Sequence, residues 1–408
     1  MVALADIVAA RDRIADGVAV TPCPYSSRLS ELTGCTIFCK LDYLHPTGSF
    51  KERGARNALL LLDGASRSRG VIAASAGNHA LALCYHGRDL AAPVTVVMPE
   101  FAPLIKVSTC RRLGARVILE GATFNEAVDH ARRLADAEGL TYVHGFDDPA
   151  IIAGAGVAGL EIIEQVSAPD AILVPVGGAG LIAGVSLAVK SLRKETQIIG
   201  VEPQRCASYA AAAQAGRPVE VAARPTLADG LAVGRVGELA FEIARRHIDR
   251  HLTVREEDIA LAILRLVECE KAVVEGGGAS SLAALLAGEL PELAGKRVVL
   301  CLCGGNIDPG VLATVIEKGL VADGRICRFT VHISDRPGGL AQLTRLIAEA
   351  GASVREISHD RAFCGADVAS VNALCLIETR DREHQAELFT RLTAAGLRFH
   401  LHGEELFE

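Results

Sequence analysis

Lys51 stands in the stretch HPTGSFKERG (45–54), a turn of small and helix-starting residues behind an apolar run. An amine in the first turn of a helix lies in the positive field of the helix dipole, and burial also disfavours its charged form. Such a lysine is kept partly neutral, so it is nucleophilic toward a carbonyl and is a base once free. A lone lysine in a turn is ordinarily a solvated side chain. Lys51 instead has companions in chain order: SAGNHA (75–80), PVGGAGL (175–181), LADG (227–230) and CLCGGN (301–306).

Each companion has a chemistry of its own. Gly177, Gly178, Ala179, Gly180 and Leu181 form a glycine-rich turn ahead of a helix, where backbone N–H groups converge on an anion such as a phosphate. Ser75, Ala76, Gly77, Asn78 and His79 form a loop at a second helix start, whose free N–H groups suit a carboxylate. Ser75 and Asn78 are equally able to cap that helix. Cys303 follows an apolar run and is either a small buried residue or a weak hydrogen-bond partner for a ligand. A dinucleotide site at the glycine loop would call for an acidic residue after a following strand, and none is well placed.

Taken together, HPTGSFKERGA, ASAGNHA, GGAGL and CGGN resemble the pyridoxal-phosphate enzymes of the tryptophan-synthase-β type, fold type II, and within them the serine/threonine dehydratases; the likeness spans roughly residues 5–320. The resemblance implies that Lys51 forms a Schiff base with pyridoxal 5′-phosphate and then takes the Cα proton of a small hydroxy amino acid. It implies Phe50 against the cofactor ring, Asn78 on the ring oxygen, and the 177–181 loop around the phosphate. Gly230, after Asp229, lies beside the cofactor, Cys303 meets the pyridine nitrogen, and Ser75 to His79 hold the substrate. Ala179 departs from the family's run of four glycines, and its methyl is expected to point away from the phosphate. Ala76 stands where serine racemases of this type carry a serine that works as acid and base on the opposite face, which favours elimination over racemisation. Glu275 aligns with a family glutamate, but Gly276 replaces the usual proline beside it, and Glu275 receives little weight. Glu202 resembles one ligand of a divalent-ion site in relatives; Ser208 stands at its acidic partner's position, so no metal is assigned. The implied activity is conversion of L-threonine to 2-oxobutanoate and ammonia, and of L-serine to pyruvate. A serine racemase or 3-hydroxyaspartate ammonia-lyase on the same fold is the nearest alternative, and a non-catalytic amino-acid sensor a remote one.

The elements that must position these residues follow from the hydrophobic pattern. Short apolar runs at 35–44, 70–75, 93–98, 115–121, 141–145, 171–178, 197–203 and 297–305 alternate with helical patterns. That alternation implies parallel sheet covered on both faces, with the site at strand C-terminal ends. Ser49 or Thr47 is expected to cap a helix beginning near Phe50. The expected fold class is α/β: a catalytic domain over 1–322 with two parallel-sheet subdomains, the smaller, roughly 45–150, inserted in the larger. From 323 the pattern becomes strand, glycine turn at Gly338 and Gly339, helix, strands over 352–361 and 369–380, helix, and a strand over 397–403. That is a ferredoxin-like βαββαβ domain over 323–408, joined by a linker at 321–325. It resembles an ACT domain, which implies an amino-acid effector and a homo-oligomer, dimer or tetramer.

Composition agrees with this class. The 408 residues suit two or three domains, and 50% hydrophobic content with 4% aromatics and no Trp calls for aliphatic cores. Acids and bases are interspersed at a net charge of −7, which gives no face for nucleic acid. No apolar run reaches the length of a membrane span, and residues 1–17 read as an amphipathic helix rather than a cleaved signal. Twelve scattered cysteines without a C-x-x-C pair read as reduced thiols in a cytoplasmic enzyme.

Overall fold

The computed structural model describes residues 2–102, 104–360 and 369–402. Pro103, Arg361 and Gly403, which the sequence places at the ends of a helix and two strands, lie outside the described residues. The chain divides into two units, Met1–Asp308 and Pro309–Glu408.

The first unit opens with α1 (Leu4–Ile14), β1 (Tyr25–Ser26), α2 (Ser27–Thr33) and β2 (Thr36–Lys40). It continues through α3 (Lys51–Leu61), α4 (Gly64–Arg69), β3 (Val71–Ala74), α5 (Asn78–Asp89) and β4 (Val94–Met98). Next come α6 (Leu104–Arg112), β5 (Arg116–Leu119), α7 (Phe124–Glu138), β6 (Thr141–Tyr142) and α8 (Pro149–Gln165). After them run β7 (Ala171–Pro175), α9 (Gly180–Leu192), β8 (Gln197–Pro203), α10 (Ser208–Ala215) and α11 (Glu238–Ala244). The unit closes with β9 (Arg250–Val254), α12 (Glu256–Arg265), α13 (Gly276–Leu286) and β10 (Arg297–Cys301).

Two sheets result. One has the order β5-β4-β3-β6, parallel throughout. The other has the order β1-β2-β10-β7-β8-β9, parallel except for β1 at its edge. Strands β3, β4 and β7 are buried at every residue, as expected where helices cover both faces of a parallel sheet.

Helices α3, α8 and α9 are stacked so closely that glycine is required where they touch. A Cβ on Gly154 of α8 would lie 2.6 Å from the carbonyl oxygen of Arg53 in α3, and one on Gly184 of α9 would lie 2.4 Å from that of Ile152 in α8. Contacts between backbones cannot be relieved by turning a side chain. The stack therefore fixes the start of α3, which carries Lys51, relative to the start of α9, which carries the glycine loop. Buried charges fix α3 further. Arg53 pairs with Asp42 at 2.9 Å and with Glu161 at 2.6 Å, and Lys40 pairs with Glu161 at 2.5 Å.

Three details differ from the sequence reading. Neither Ser49 nor Thr47 caps α3: the capping position is Phe50, itself helical at φ −56°, and Ser49 Oγ is buried without a partner among the described residues. The run 141–145 pairs as a strand only over Thr141–Tyr142, and the rest turns away toward α8. Strand β9 was not expected, because RHLTV is a partly exposed edge with little apolar content.

The second unit begins with α14 (Pro309–Ala322), so the division falls ahead of the 321–325 segment. It continues as β11 (Ile326–Ser334), α15 (Gly339–Glu349), β12 (Ser353–Asp360), β13 (Ser370–Glu378), α16 (Arg382–Ala394) and β14 (Arg398–His402). The sheet order β12-β13-β11-β14 is antiparallel throughout, the ferredoxin-like arrangement expected from βαββαβ. Phe329, Val331, Leu343, Ile347, Leu388 and Leu392 lie at its core.

Candidate active site

Lys51 is the first residue of α3 and is half-buried. Its Nζ donates to the carbonyl of Gly145 at 2.5 Å and lies 5.0 Å from the centroid of the Phe50 ring. Burial pushes the amine down to about 8, only partly opposed by Cys303 and Glu275. A neutral amine is therefore accessible near ordinary pH. Phe50 N–H donates to the carbonyl of Cys303 at 2.9 Å, and Ser49 bridges Gly304, so the lysine turn is tied to the loop after β10.

The glycine loop lies where β7 gives way to α9. Ala179 occupies the capping position with φ +71°, a left-handed conformation that glycine adopts without strain and alanine does not. The family's glycine there is thus replaced at a position that favours one. The neighbouring glycines are obligatory on steric grounds. A Cβ on Gly178 would lie 2.3 Å from the Phe146 ring, and one on Gly180 would lie 2.5 Å from the Phe146 carbonyl oxygen. Gly177 faces the turn that holds Gly230, its built Cβ falling 3.0 Å from Leu231 Cα. Leu181 is buried in the core behind the loop. The N–H groups of this first turn have no acceptor within α9 itself and lie at the positive end of its dipole.

The loop 75–79 starts α5. Gly77 is the capping residue, and neither Ser75 nor Asn78 caps the helix; Ser75 Oγ accepts from Gly77 N–H at 3.2 Å. Ala76 is half-buried against the core of the smaller sheet. Buried His79 has Nε2 3.2 Å from the carbonyl of Val143, and its buried Nδ1 has no partner among the described residues; burial, with Lys51 adding to it, holds the ring down to about 3, so it is neutral. Asn78 is engaged at both ends of its carboxamide. Nδ2 donates to Glu275 Oε1 at 2.8 Å, and Oδ1 accepts from Asn306 Nδ2 at 2.9 Å.

Cys303 is buried, and that burial raises its thiol well above the ordinary range. It is a neutral, weak hydrogen-bonding group. Gly230 and Asp229 lie on an exposed 3-10 turn, and Asp229 pairs with Lys106 of α6 at 3.3 Å.

Sequence reasoning missed four residues. Glu275, set aside because of Gly276, is buried and holds Asn78. Gly276 has its own cause: a Cβ there would lie 2.1 Å from the Leu227 carbonyl oxygen. Asn306 stood inside the CGGN motif without a role. Gly145 and Phe146 carry no chemistry as residue types, and no signal in the sequence marks them. Glu202 is fully buried, and its oxygens accept from Tyr209 N–H at 2.9 Å and Ala210 N–H at 2.8 Å, with His251 Nε2 at 3.1 Å. Among the described residues no group of three or more His, Cys, Asp or Glu is arranged to hold a metal.

The residues present fit a phosphate-bearing aldehyde. An amine of lowered basicity is hydrogen-bonded to Gly145, whose neighbour Phe146 packs on Gly178 and Gly180 of a loop that leaves no room for side chains at a helix start that favours an anion. A family model described as pyridoxal-phosphate dependent enzyme matches residues 14–304. The chain belongs to this family, in the two-sheet fold of type II, and its cofactor is pyridoxal 5′-phosphate. Among its relatives is the L-threonine ammonia-lyase of Thermotoga maritima, 43% identical over 396 residues, which are 97% of this chain and 98% of that protein. The processed form of threonine deaminase isoform 2 from Solanum lycopersicum superimposes with a TM-score of 0.74 at 36% identity, over 77% of this chain and 92% of that one. Serine racemase from Dictyostelium discoideum does so with a TM-score of 0.71 at 35% identity, over 75% and 99%.

Proposed function

We infer that the chain is a threonine ammonia-lyase: L-threonine loses its β-hydroxyl as water, and hydrolysis of the resulting enamine returns one water and releases 2-oxobutanoate and ammonia; L-serine gives pyruvate and ammonia in the same way. The observation that carries this reading is the Lys51 amine, its pKa lowered to about 8 by burial and its Nζ hydrogen-bonded to Gly145 beside the Phe146 wall of the glycine loop; Ala76 in the 75–79 loop supplies no second proton-transfer group.

Bound pyridoxal phosphate supplies an electron sink that makes the Cα–H of an attached amino acid acidic. The protein's part is binding, orientation and one proton. The N–H groups of Gly177 to Leu181 hold the cofactor's phosphate at the start of α9. Phe50 and Asn78 orient the ring, and the neutral Cys303 thiol places no fixed charge at the pyridine nitrogen. The N–H groups of the 75–79 loop hold the substrate carboxylate. Lys51, as the neutral amine, would take the Cα proton of the substrate, and a base with a pKa near the working pH is well matched to that task. Ala76 has no proton to return from the opposite face, so loss of the β-hydroxyl prevails over inversion.

The second unit is proposed to bind an amino-acid effector as an ACT domain and to pair with its copy in a homo-oligomer; its four-stranded sheet with two helices supports this reading. No described helix is long and apolar enough to cross a membrane, and the buried free thiols support a reducing, cytoplasmic setting.

The experiment is a keto-acid assay of the purified chain with L-threonine, L- and D-serine and 3-hydroxyaspartate. 2-Oxobutanoate from threonine as the main product, abolished by Lys51→Ala, is the expected result. Inversion of serine faster than its deamination would replace the reading with a racemase.

A further inference from the structure

Asn78 is the residue on which the ring oxygen of the cofactor depends, and an asparagine presents two nearly isosteric ends of opposite character. One end donates and the other accepts, so its function rests on which way the carboxamide is turned. In this chain the choice is made by neighbours. Asn306 Nδ2 donates to the carbonyl of Thr47 at 2.7 Å and to Asn78 Oδ1 at 2.9 Å. A flipped Asn306 would set its own oxygen against a backbone carbonyl, so Thr47 fixes the orientation of Asn306. The other end of Asn78 gives one Nδ2 hydrogen to Glu275 Oε1 at 2.8 Å. An ionised carboxylate only accepts, so above its raised pKa of about 7 Glu275 enforces the same orientation from the opposite side. One Nδ2 hydrogen of Asn78 is left over.

We propose that Asn306 and Glu275 are positioning residues that lock the Asn78 carboxamide in a single flip state, so that Asn78 meets the ring oxygen of pyridoxal phosphate as a donor and never as an acceptor. The inference rests on the proposed role of Asn78 and deepens it.

The packing is built around this clamp. A Cβ on Gly304 would lie 2.2 Å from Glu275 Oε1, and one on Gly48, at φ +75°, would lie 2.4 Å from Asn306 Oδ1. Both glycines thus leave the space that the carboxylate and the amide fill. Glu275 N–H also donates to the Gly304 carbonyl at 3.0 Å, which anchors its backbone in the loop after β10. Keeping an acid here is costly to the fold. Burial pushes Glu275 up to about 7, Asp229 adds to the rise, and Asn78, Lys106 and the Asn306 N–H oppose it. An apolar side chain would fill such a slot without that cost; what the carboxylate adds is direction.

The test uses the full chain stripped of cofactor and titrated with pyridoxal phosphate, read by the visible band of the bound cofactor and its dependence on pH. Asn306→Asp replaces a donor by a carboxylate that demands the Asn78 N–H, turning Oδ1 toward the ring oxygen. It is expected to raise the Kd by about 10-fold or more and to shift the titration of the visible band. Glu275→Gln, which can donate as well as accept, is expected to raise Kd by about 3- to 10-fold and to fold as the parent does. In an Asn78→Ala background each substitution is expected to change the Kd by less than about twofold, because its partner is gone. Variants that bind as the wild type does, or that lose affinity equally in the Asn78→Ala background, overturn the clamp and leave the cofactor assignment standing. A wild-type chain that takes up no pyridoxal phosphate overturns both.

Discussion

The Nζ of Lys51 lies 2.5 Å from the backbone carbonyl of Gly145, so the reactive amine rests on a neutral acceptor rather than on a carboxylate. A carbonyl stabilises the ammonium less than an ion-pair partner does, and burial then dominates, giving a pKa of about 8. The neutral amine is the nucleophile and exists above that pKa. In the cofactor-free chain, capture of Lys51 by an aldehyde with borohydride is therefore expected to rise through pH 7–9, with a midpoint near 8. A midpoint near the ordinary 10.5 would contradict this.

Phe146 walls the glycine loop, the proposed phosphate site, in two ways that mutation can separate. Gly178→Ala drives a methyl into the Phe146 ring, whereas Gly180→Ala drives one into its backbone carbonyl. Both are expected to weaken cofactor binding by about 10-fold or more. Adding Phe146→Ala removes the first clash and leaves the second. Cofactor titration of the two double variants is expected to show recovery with Gly178→Ala alone.

Ala179 bears strain that a glycine would release. Its φ of +71° costs an L-residue roughly 1–2 kcal/mol, part of which glycine gives back through its freer unfolded chain. Ala179→Gly is expected to gain about 0.5–1 kcal/mol of stability, read as a higher denaturant midpoint at unchanged slope. A lower midpoint would show that the methyl makes a packing contribution larger than the strain.

Glu275 links stability to pH with a definite sign. Its folded pKa of about 7 lies above its ordinary 4.5, so between these values the folded chain binds more protons than the unfolded one. Stability from this group falls as pH rises through that window, and the full cost is present above 7. Glu275→Gln is expected to stabilise the cofactor-free chain at pH 8 by on the order of 2–3 kcal/mol. The gain should shrink to nothing toward pH 4.5, while cofactor binding weakens as described above. Melting curves across pH read both.

Arg53 sits fully buried between Asp42 and Glu161. Arg53→Met strips Asp42 of its guanidinium partner in the interior and leaves Glu161 with Lys40 alone, with an expected cost of about 3–5 kcal/mol. Thermal unfolding that loses less than about 1 kcal/mol would mean that water reaches the cluster.

The chemistry of this chain was legible where residue type and spacing coincide. Lys51, Asn78 and the 177–181 loop, the residues of the proposed site, could be picked out because an amine, an amide and a run of glycines sit at successive turns that start α3, α5 and α9. What stayed hidden acts through backbone or through pairing between distant segments. Gly145 offers only a carbonyl, and Phe146 only a wall. Glu275 and Asn306 matter through Asn78, which lies 197 and 228 residues away along the chain. Helix α8 was not singled out because it is apolar almost all round, with no polar face to set a period. The start of α3 near Phe50 was legible, but its cap was not: Ser49 and Thr47 look like caps, while the tie between Ser49 and Gly304 binds that turn to the loop after β10.

The account rests on Lys51 as the single amine that joins the cofactor. The most direct measurement is borohydride reduction of the chain loaded with pyridoxal phosphate, followed by proteolysis and mass mapping of the labelled peptide, with a parallel sample assayed for 2-oxobutanoate from L-threonine. The account predicts one pyridoxyl group, on Lys51, and loss of the keto-acid activity upon reduction. A label on any other lysine, or full activity after Lys51 has been reduced, would contradict it.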